Sequence, residues 1–321
     1  MGRSGIVTLC VVNAVASGVA LFFVFRPYFM AREQPAQPVA EEVLTPPASA
    51  PENHPPPEEV WQKFLKSRTA NEAASCLALL PQAPETGARL GQYVRGRLAP
   101  FPQVTWGRSY IDRIAAAIGA WEPWLDYGSD DTGFLEQAVA NHAMPVLIRD
   151  SALRVVVGAA HRKKGQAADA DAAAALSADW QTHLEKFLTE TAFGDETSIG
   201  GLALQAALFA SNEKIAPIDP AFFDRRIRAV IDDRENVNEF TLAASLDVAA
   251  QRDMPPDVAG AIREIVGKPQ SEAVQLAGLR ALARNGSRED VAWLETVPAR
   301  TPVAHRALLD AQRVLQEKPE N

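Results

Sequence analysis

The histidines and carboxylates are the residues here whose types could do chemistry, and their spacing offers little. His54, His142, His161, His183 and His305 form no His-Glu-x-x-His run and no Cys-His ligand spacing, so the chain writes no zinc set. His183 and Glu185 lack the downstream cysteine pair that a zinc deaminase needs. Ser211-Asn212-Glu213-Lys214 has the Ser-x-x-Lys spacing of serine acylating enzymes, but no Ser-Asp-Asn or Lys-Thr-Gly partner follows. The four residues also fall in a turn after a helix rather than opening one. Asp126, Asp130 and Asp131, beside Gly128 and Gly133, depart from the EF-hand spacing; Asp131 or Thr132 reads better as the cap of a helix beginning near Phe134. Glu122 and Glu136 are the carboxylates available to an enzyme acting on cell-wall glycan. With no Walker loop, Gly-x-Ser-x-Gly or Gly-x-Gly-x-x-Gly, the expectation is a non-catalytic protein without cofactor or metal.

The residues that suit partner binding are Trp106, Trp121, Trp124 and Tyr127. Trp121 and Trp124 stand three apart, on a shared helical face interrupted by Pro123. Tryptophan and tyrosine are favoured at binding hot spots. The competing role is a wedge between the first hairpins, since large aromatics mostly serve packing. Arg225, Arg226 and Arg228 form a second candidate, and Arg162-Lys163-Lys164 a third. Both basic runs read as solvated faces that suit an acidic partner or lipid head groups. The chain as a whole carries −8, which argues against a nucleic-acid surface built on clustered lysine and arginine. Cys10 and Cys76 supply neither a disulfide framework nor a metal site.

The elements that must position these residues are helical. Alanine and leucine dominate the apolar residues while aromatics make up 7%, a composition suited to close helix packing. No segment of the body alternates with period two. Val60, Trp61, Phe64 and Leu65 mark one short helix, and Ala73, Cys76, Leu77 and Leu80 another, with Asn71 as the expected cap between them. Leu90, Tyr93, Val94 and Leu98 mark a third, and Trp106, Tyr110, Ile114 and Ile118 a fourth that runs to Trp121.

From Thr241 to Ala311 one hairpin is written twice and begun a third time. A slide of 33 carries Ala244, Leu246, Ala249 and Ala250 onto Ala277, Leu279, Leu282 and Ala283, and Asp257-Val258-Ala259 onto Asp290-Val291-Ala292. A slide of 30 carries Ala277, Leu279 and Ala281 onto Ala307, Leu309 and Ala311. Earlier copies centre on Leu153 and Leu204, so the spacing shortens toward the carboxyl end, with the excess assigned to an insertion at 162–175 and a long turn at 212–220. Such a period marks a stacked helix-pair array. Gln312, Arg313, Gln316, Glu317 and Lys318 read as its polar cap.

Ile148-Arg149-Asp150-Ser151-Ala152-Leu153-Arg154, and the segment from Val274 to Arg284 followed by Asn285-Gly286, resemble the second helix of HEAT-like repeats over residues 130–316. The resemblance implies a curved stack of antiparallel helix pairs that binds other proteins, and it carries over no catalytic residue. The expected fold is all-α, an irregular HEAT-like α-solenoid preceded by one transmembrane helix.

Ile6 to Phe25 holds no charge, and its length in helix matches a hydrocarbon core of about 30 Å. It reads as an uncleaved anchor, because the exit through Phe25-Arg26-Pro27 offers no small-x-small cleavage site. The region from Gln34 to Pro57 includes Pro35, Pro38, Pro46, Pro47, Pro51 and Pro55, and reads as an extended spacer. The expected organisation is an anchor at 1–28, a linker at 29–57, an N-terminal helical region at 58–128 and repeats at 129–321. By analogy with tethered bacterial envelope proteins, the body is placed in the periplasm, although the flanking arginines Arg3, Arg26 and Arg32 are nearly balanced. The expected role is a membrane-tethered scaffold for a protein partner, with a glycan-directed envelope protein or a subunit of a larger membrane complex as alternatives.

Overall fold

The computed structural model describes residues 55–99, 106–166, 170–268 and 270–319, and every regular element among them is helical. The expected anchor and nearly all of the linker lie outside the described residues, and no described helix is long and apolar enough to cross a membrane. The helices come in consecutive pairs: α1 (Pro57–Lys66) with α2 (Ala70–Leu77), α3 (Pro84–Leu98) with α4 (Arg108–Trp121), and α5 (Asp130–Ala140) with α6 (Val146–Gln166). Four more pairs follow: α7 (Ala170–Gly194) with α8 (Ser198–Asn212), α9 (Pro220–Asp232) with α10 (Glu239–Ala249), α11 (Pro256–Gly267) with α12 (Glu272–Asn285), and α13 (Asp290–Leu294) with α14 (Pro302–Gln316). A 3₁₀ turn, Glu122–Trp124, extends the end of α4.

Proline opens α1, α3, α9, α11 and α14, where its fixed φ suits the first turn and its missing N–H costs nothing. Side-chain caps open α2, α5, α8, α10 and α12 at Thr69, Ser129, Thr197, Asn238 and Ser271. Two expected caps are thereby corrected. Asn71 lies inside α2 and both Asp131 and Thr132 inside α5, because Thr69 and Ser129 already accept the N–H of Glu72 and Thr132. The run at 162–175 assigned to an insertion is helical at both ends: α6 continues to Gln166 and α7 starts at Ala170.

The even-numbered helices form a central row in which each packs on the next, from α2 through to α14. The odd-numbered helices flank that row and approach one another far less. The sequences differ accordingly. On α10, Thr241 through Leu246, Val248 and Ala249 are all buried, so the helix is covered nearly all round; α9 buries one face, Phe222, Phe223, Ile227, Val230 and Ile231. Gly201 sets the separation of α8 and α10, since a Cβ there would stand 2.7 Å from the Thr241 Cα. Gly278 does the same for α12 and α11, where a Cβ would meet Val266 Cγ2 at 2.7 Å.

The register leucines of the sequence all fall on this row. Leu153, Leu204, Leu246 and Leu279 are no more than 1% exposed, whereas Leu309 on α14 is 50% exposed because no described helix packs beyond it. Its neighbours on that side, His305, Gln312 and Gln316, are polar. The residue after each leucine lies on a polar stripe: Arg154, Gln205 and Asp247 are half-buried, and Arg280 and Asp310 are exposed. Direct contacts join the stripe from helix to helix. Arg280 Nη2 donates to Asp247 Oδ1 at 2.6 Å, and the His161 and Phe209 rings lie 5.5 Å apart.

Candidate interaction surfaces

The structure divides the four candidate aromatics between the two ends of α4. Trp121 and Trp124 lie at its carboxyl end, and their shared face is the surface of α3 rather than a continuous helix of their own. Trp121 ends α4 and Trp124 ends the 3₁₀ turn. The indole of Trp121 lies over Gly91, where a Cβ would stand 2.7 Å away, and Trp124 lies over Gly87 one turn earlier. Two glycines four apart thus open the groove that two tryptophans fill, a signal legible in Gly87 and Gly91 but missed beside the more conspicuous aromatics. Trp121 is 3% exposed and Tyr127 1% exposed, so packing occupies both.

Tyr127 sits in the corner after the turn, against Trp180 edge-on at 5.6 Å. Burial, and then the neighbouring Glu136 carboxylate, push its hydroxyl pKa far above the usual tyrosine value, so the group stays protonated. Glu136 in turn contacts His183, Oε2 to Nε2 at 2.7 Å. Glu122 pairs with Arg162 and rests against Gly158, so the two carboxylates weighed for glycan chemistry are each held by a basic partner.

The basic run on α6 overturns its expected role as a solvated face. Arg162 donates to the carbonyls of Glu122 and Leu125, Lys163 to that of Tyr127 at 2.6 Å, and Lys164 to that of Glu213 beyond α8. Each half-buried cation donates to a carbonyl near the end of another element. Gly128 completes the corner with φ of 89°, a left-handed turn that glycine adopts without a steric penalty.

Arg225, Arg226 and Arg228 lie together on α9 but face different partners. Arg228 pairs with Asp257 of α11, Arg225 approaches Asp219 at 4.0 Å, and Arg226 lies over the Phe193 ring at 5.3 Å. Burial lowers the pKa of Arg226, yet an arginine remains charged. Ser211 and Asn212 lie in the last turn of α8 rather than in the turn after it, Ser211 half-buried, with Lys214 beyond in a left-handed turn.

At the other end of α4 a group forms that the sequence reading did not assemble. Trp106 lies 5.6 Å from Tyr110, and the Arg97 guanidinium lies 5.6 Å from Tyr110 and 5.4 Å from Tyr93. Arg113 adds a second cation, 5.9 Å from Tyr110 and fixed by donation to the Ser67 carbonyl at 2.6 Å. Tyr93 is braced from below by Phe64 at 5.2 Å and Trp61 at 5.8 Å, both buried. Burial raises the Tyr93 pKa against the opposing pull of Arg113 and Arg97, so its hydroxyl stays protonated. The spacing of Tyr93 to Arg97 and of Tyr110 to Arg113 was visible; their meeting across two helices was not.

A buried ion pair was also missed. Arg149, read only as part of the hairpin signature, pairs with Asp195, and each side chain is 1% exposed. Arg149 Nε donates to the Val139 carbonyl at 2.7 Å, while Asp195 Oδ1 accepts the Thr197 N–H at 2.8 Å and its hydroxyl. Thr241 Oγ1 donates to the Thr197 carbonyl at 3.0 Å, which ties α5, α6, the α7–α8 turn and α10 into one network. Burial pushes the Asp195 pKa up, but hydrogen bonds from Thr197 and Arg149 outweigh it and leave the carboxyl below its ordinary value. His142 Nδ1 stands 3.8 Å from the same carboxylate.

No protein-family model, curated protein or solved structure matches this chain.

Proposed function

We propose that this chain is a membrane-tethered scaffold, a HEAT-like α-solenoid that binds a protein partner and catalyses no reaction of its own. The observation that supports it is the continuous central row with its partly exposed polar stripe of Arg154, Gln205, Asp247, Arg280 and Asp310. At about 10 Å between packed helices, five helices display side chains over roughly 40 Å. An extended face of hydrogen-bonding groups on a rigid row suits recognition of another protein along its length. In this reading Ile6–Phe25 anchors the chain in a bacterial inner membrane, the linker holds the body off the bilayer, and the body lies in the periplasm.

The test is a crosslinking pulldown from membranes with the full-length chain, compared with a version lacking residues 1–33. Strong recovery of one partner that depends on the anchor, with crosslinks mapping to the central row, is the expected result. Recovery of no protein by either version removes the reading.

A further inference from the structure

We propose that the arginine–tyrosine patch formed by Tyr93 and Arg97 of α3 and by Tyr110 and Arg113 of α4 docks a carboxylate-rich segment of the protein partner, with Arg97 as its central contact. The inference rests on the scaffold reading and adds where the partner sits and by what chemistry it is recognised.

Arg97 is exposed, and among the described residues no carboxylate pairs with it. Its neighbours differ: Arg95 is matched by Asp131, Arg108 by Asp112 and Arg89 by Glu58. Instead its guanidinium lies within 5.6 Å of two ring centroids, those of Tyr93 and Tyr110. The rings are themselves immobilised, Tyr93 by Phe64 and Trp61 and Tyr110 by Trp106. Little side-chain freedom therefore remains to be lost when a partner arrives.

A planar five-donor fork matches a carboxylate with two parallel hydrogen bonds, and Arg113 beside it adds a second positive charge. Tyrosine, tryptophan and arginine are also the residues enriched where a few contacts dominate binding. An anionic lipid surface is the weaker match, because a protein carrying −8 is repelled by a broad negative field. A local pair of guanidinium groups can still bind a local pair of carboxylates within about one Debye length.

The experiment places p-benzoylphenylalanine at exposed Gly96, where a side chain meets nothing within 4 Å, and separately at Gln205 on the central stripe, both in the full-length chain in membranes. The expected result is a crosslink from position 96 to an Asp/Glu-rich peptide of the partner. Arg97→Glu reduces that crosslink about tenfold and leaves the one from position 205 in place; Arg97→Lys, which keeps the charge but not the fork, reduces it several-fold. Equal crosslinking by Arg97→Glu, a captured peptide without acidic residues, or lipid adducts alone overturns the proposal. Capture only from position 205 leaves the scaffold standing and removes this docking site, whereas capture from neither position removes both. Unchanged helical circular dichroism of the Arg97 variants shows that a loss reflects recognition and not unfolding.

Discussion

The central row and the outer row are made of the same kind of helix but are held by opposite means. Along the centre, Gly201 on α8 lets the backbone of α10 approach at Thr241 and Ala244, and cohesion comes from apolar burial. Along the outside, Arg228–Asp257 links α9 to α11, Arg234–Glu264 links the end of α9 to α11, and Arg263–Asp290 links α11 to α13. Each of these pairs has at least one exposed partner, and exposed ion pairs add little stability and weaken with salt. The comparison teaches that the array gets its continuity from one row, while the other serves mainly to cover it.

The largest expected effect is at the buried pair that pins the centre. Arg149→Ala leaves Asp195 charged and unpaired in the interior and should cost about 3–5 kcal/mol in chemical denaturation. A loss below 1 kcal/mol would show that water or relaxation compensates for the pair. The same network predicts a pH dependence. Because the folded-state pKa of Asp195 is depressed, its contribution is complete above the unfolded aspartate value of about 3.9 and is lost as pH falls through the folded value. Asp195→Asn should lower stability at neutral pH and flatten that acid limb in thermal melts at stepped pH.

Next comes Gly201→Val, which forces α8 from α10 and should cost about 1–3 kcal/mol. If its melting temperature matches that of the unsubstituted chain, the close approach does not hold the row together. Asp247→Asn sharpens the contrast within the centre itself. Burial raises the pKa of Asp247 and Arg280 only partly offsets that, so the ionised form is the disfavoured one in the fold. Its stability penalty applies above the folded pKa and is relieved as pH falls through it, opposite in sign to Asp195. The amide should therefore be neutral or slightly stabilising at pH 7, and clear destabilisation would reverse the assignment. The smallest effect belongs to the outer row: Arg228→Ala should barely move the denaturation midpoint at low salt and leave it unchanged at about 1 M, and a clear shift at either would show that the pair holds the row.

Much of the array was legible because its pattern is local. The slide of 33 that matched Leu246 to Leu279 put both on the central row. The docking candidates were less legible. Trp121 and Trp124 are conspicuous as residue types, but their groove is carved by Gly87 and Gly91, more than thirty residues upstream of the second tryptophan. Lys163 and Lys164 read as solvated because charge in a sequence says nothing of the carbonyl ends that tertiary packing brings within reach.

Sequence alone determined the helical class, the paired elements and the leucine register, since helical period, proline and cap residues act within a few positions of one another. Only the tertiary structure decided which charges were neutralised and which remained available. Arg149 and Asp195 stand 46 positions apart and meet in the interior, while Arg97 has acidic residues elsewhere in the chain and meets two tyrosines instead. The interaction energy of a charge depends on its distance and burial relative to its partners, and helix packing sets both.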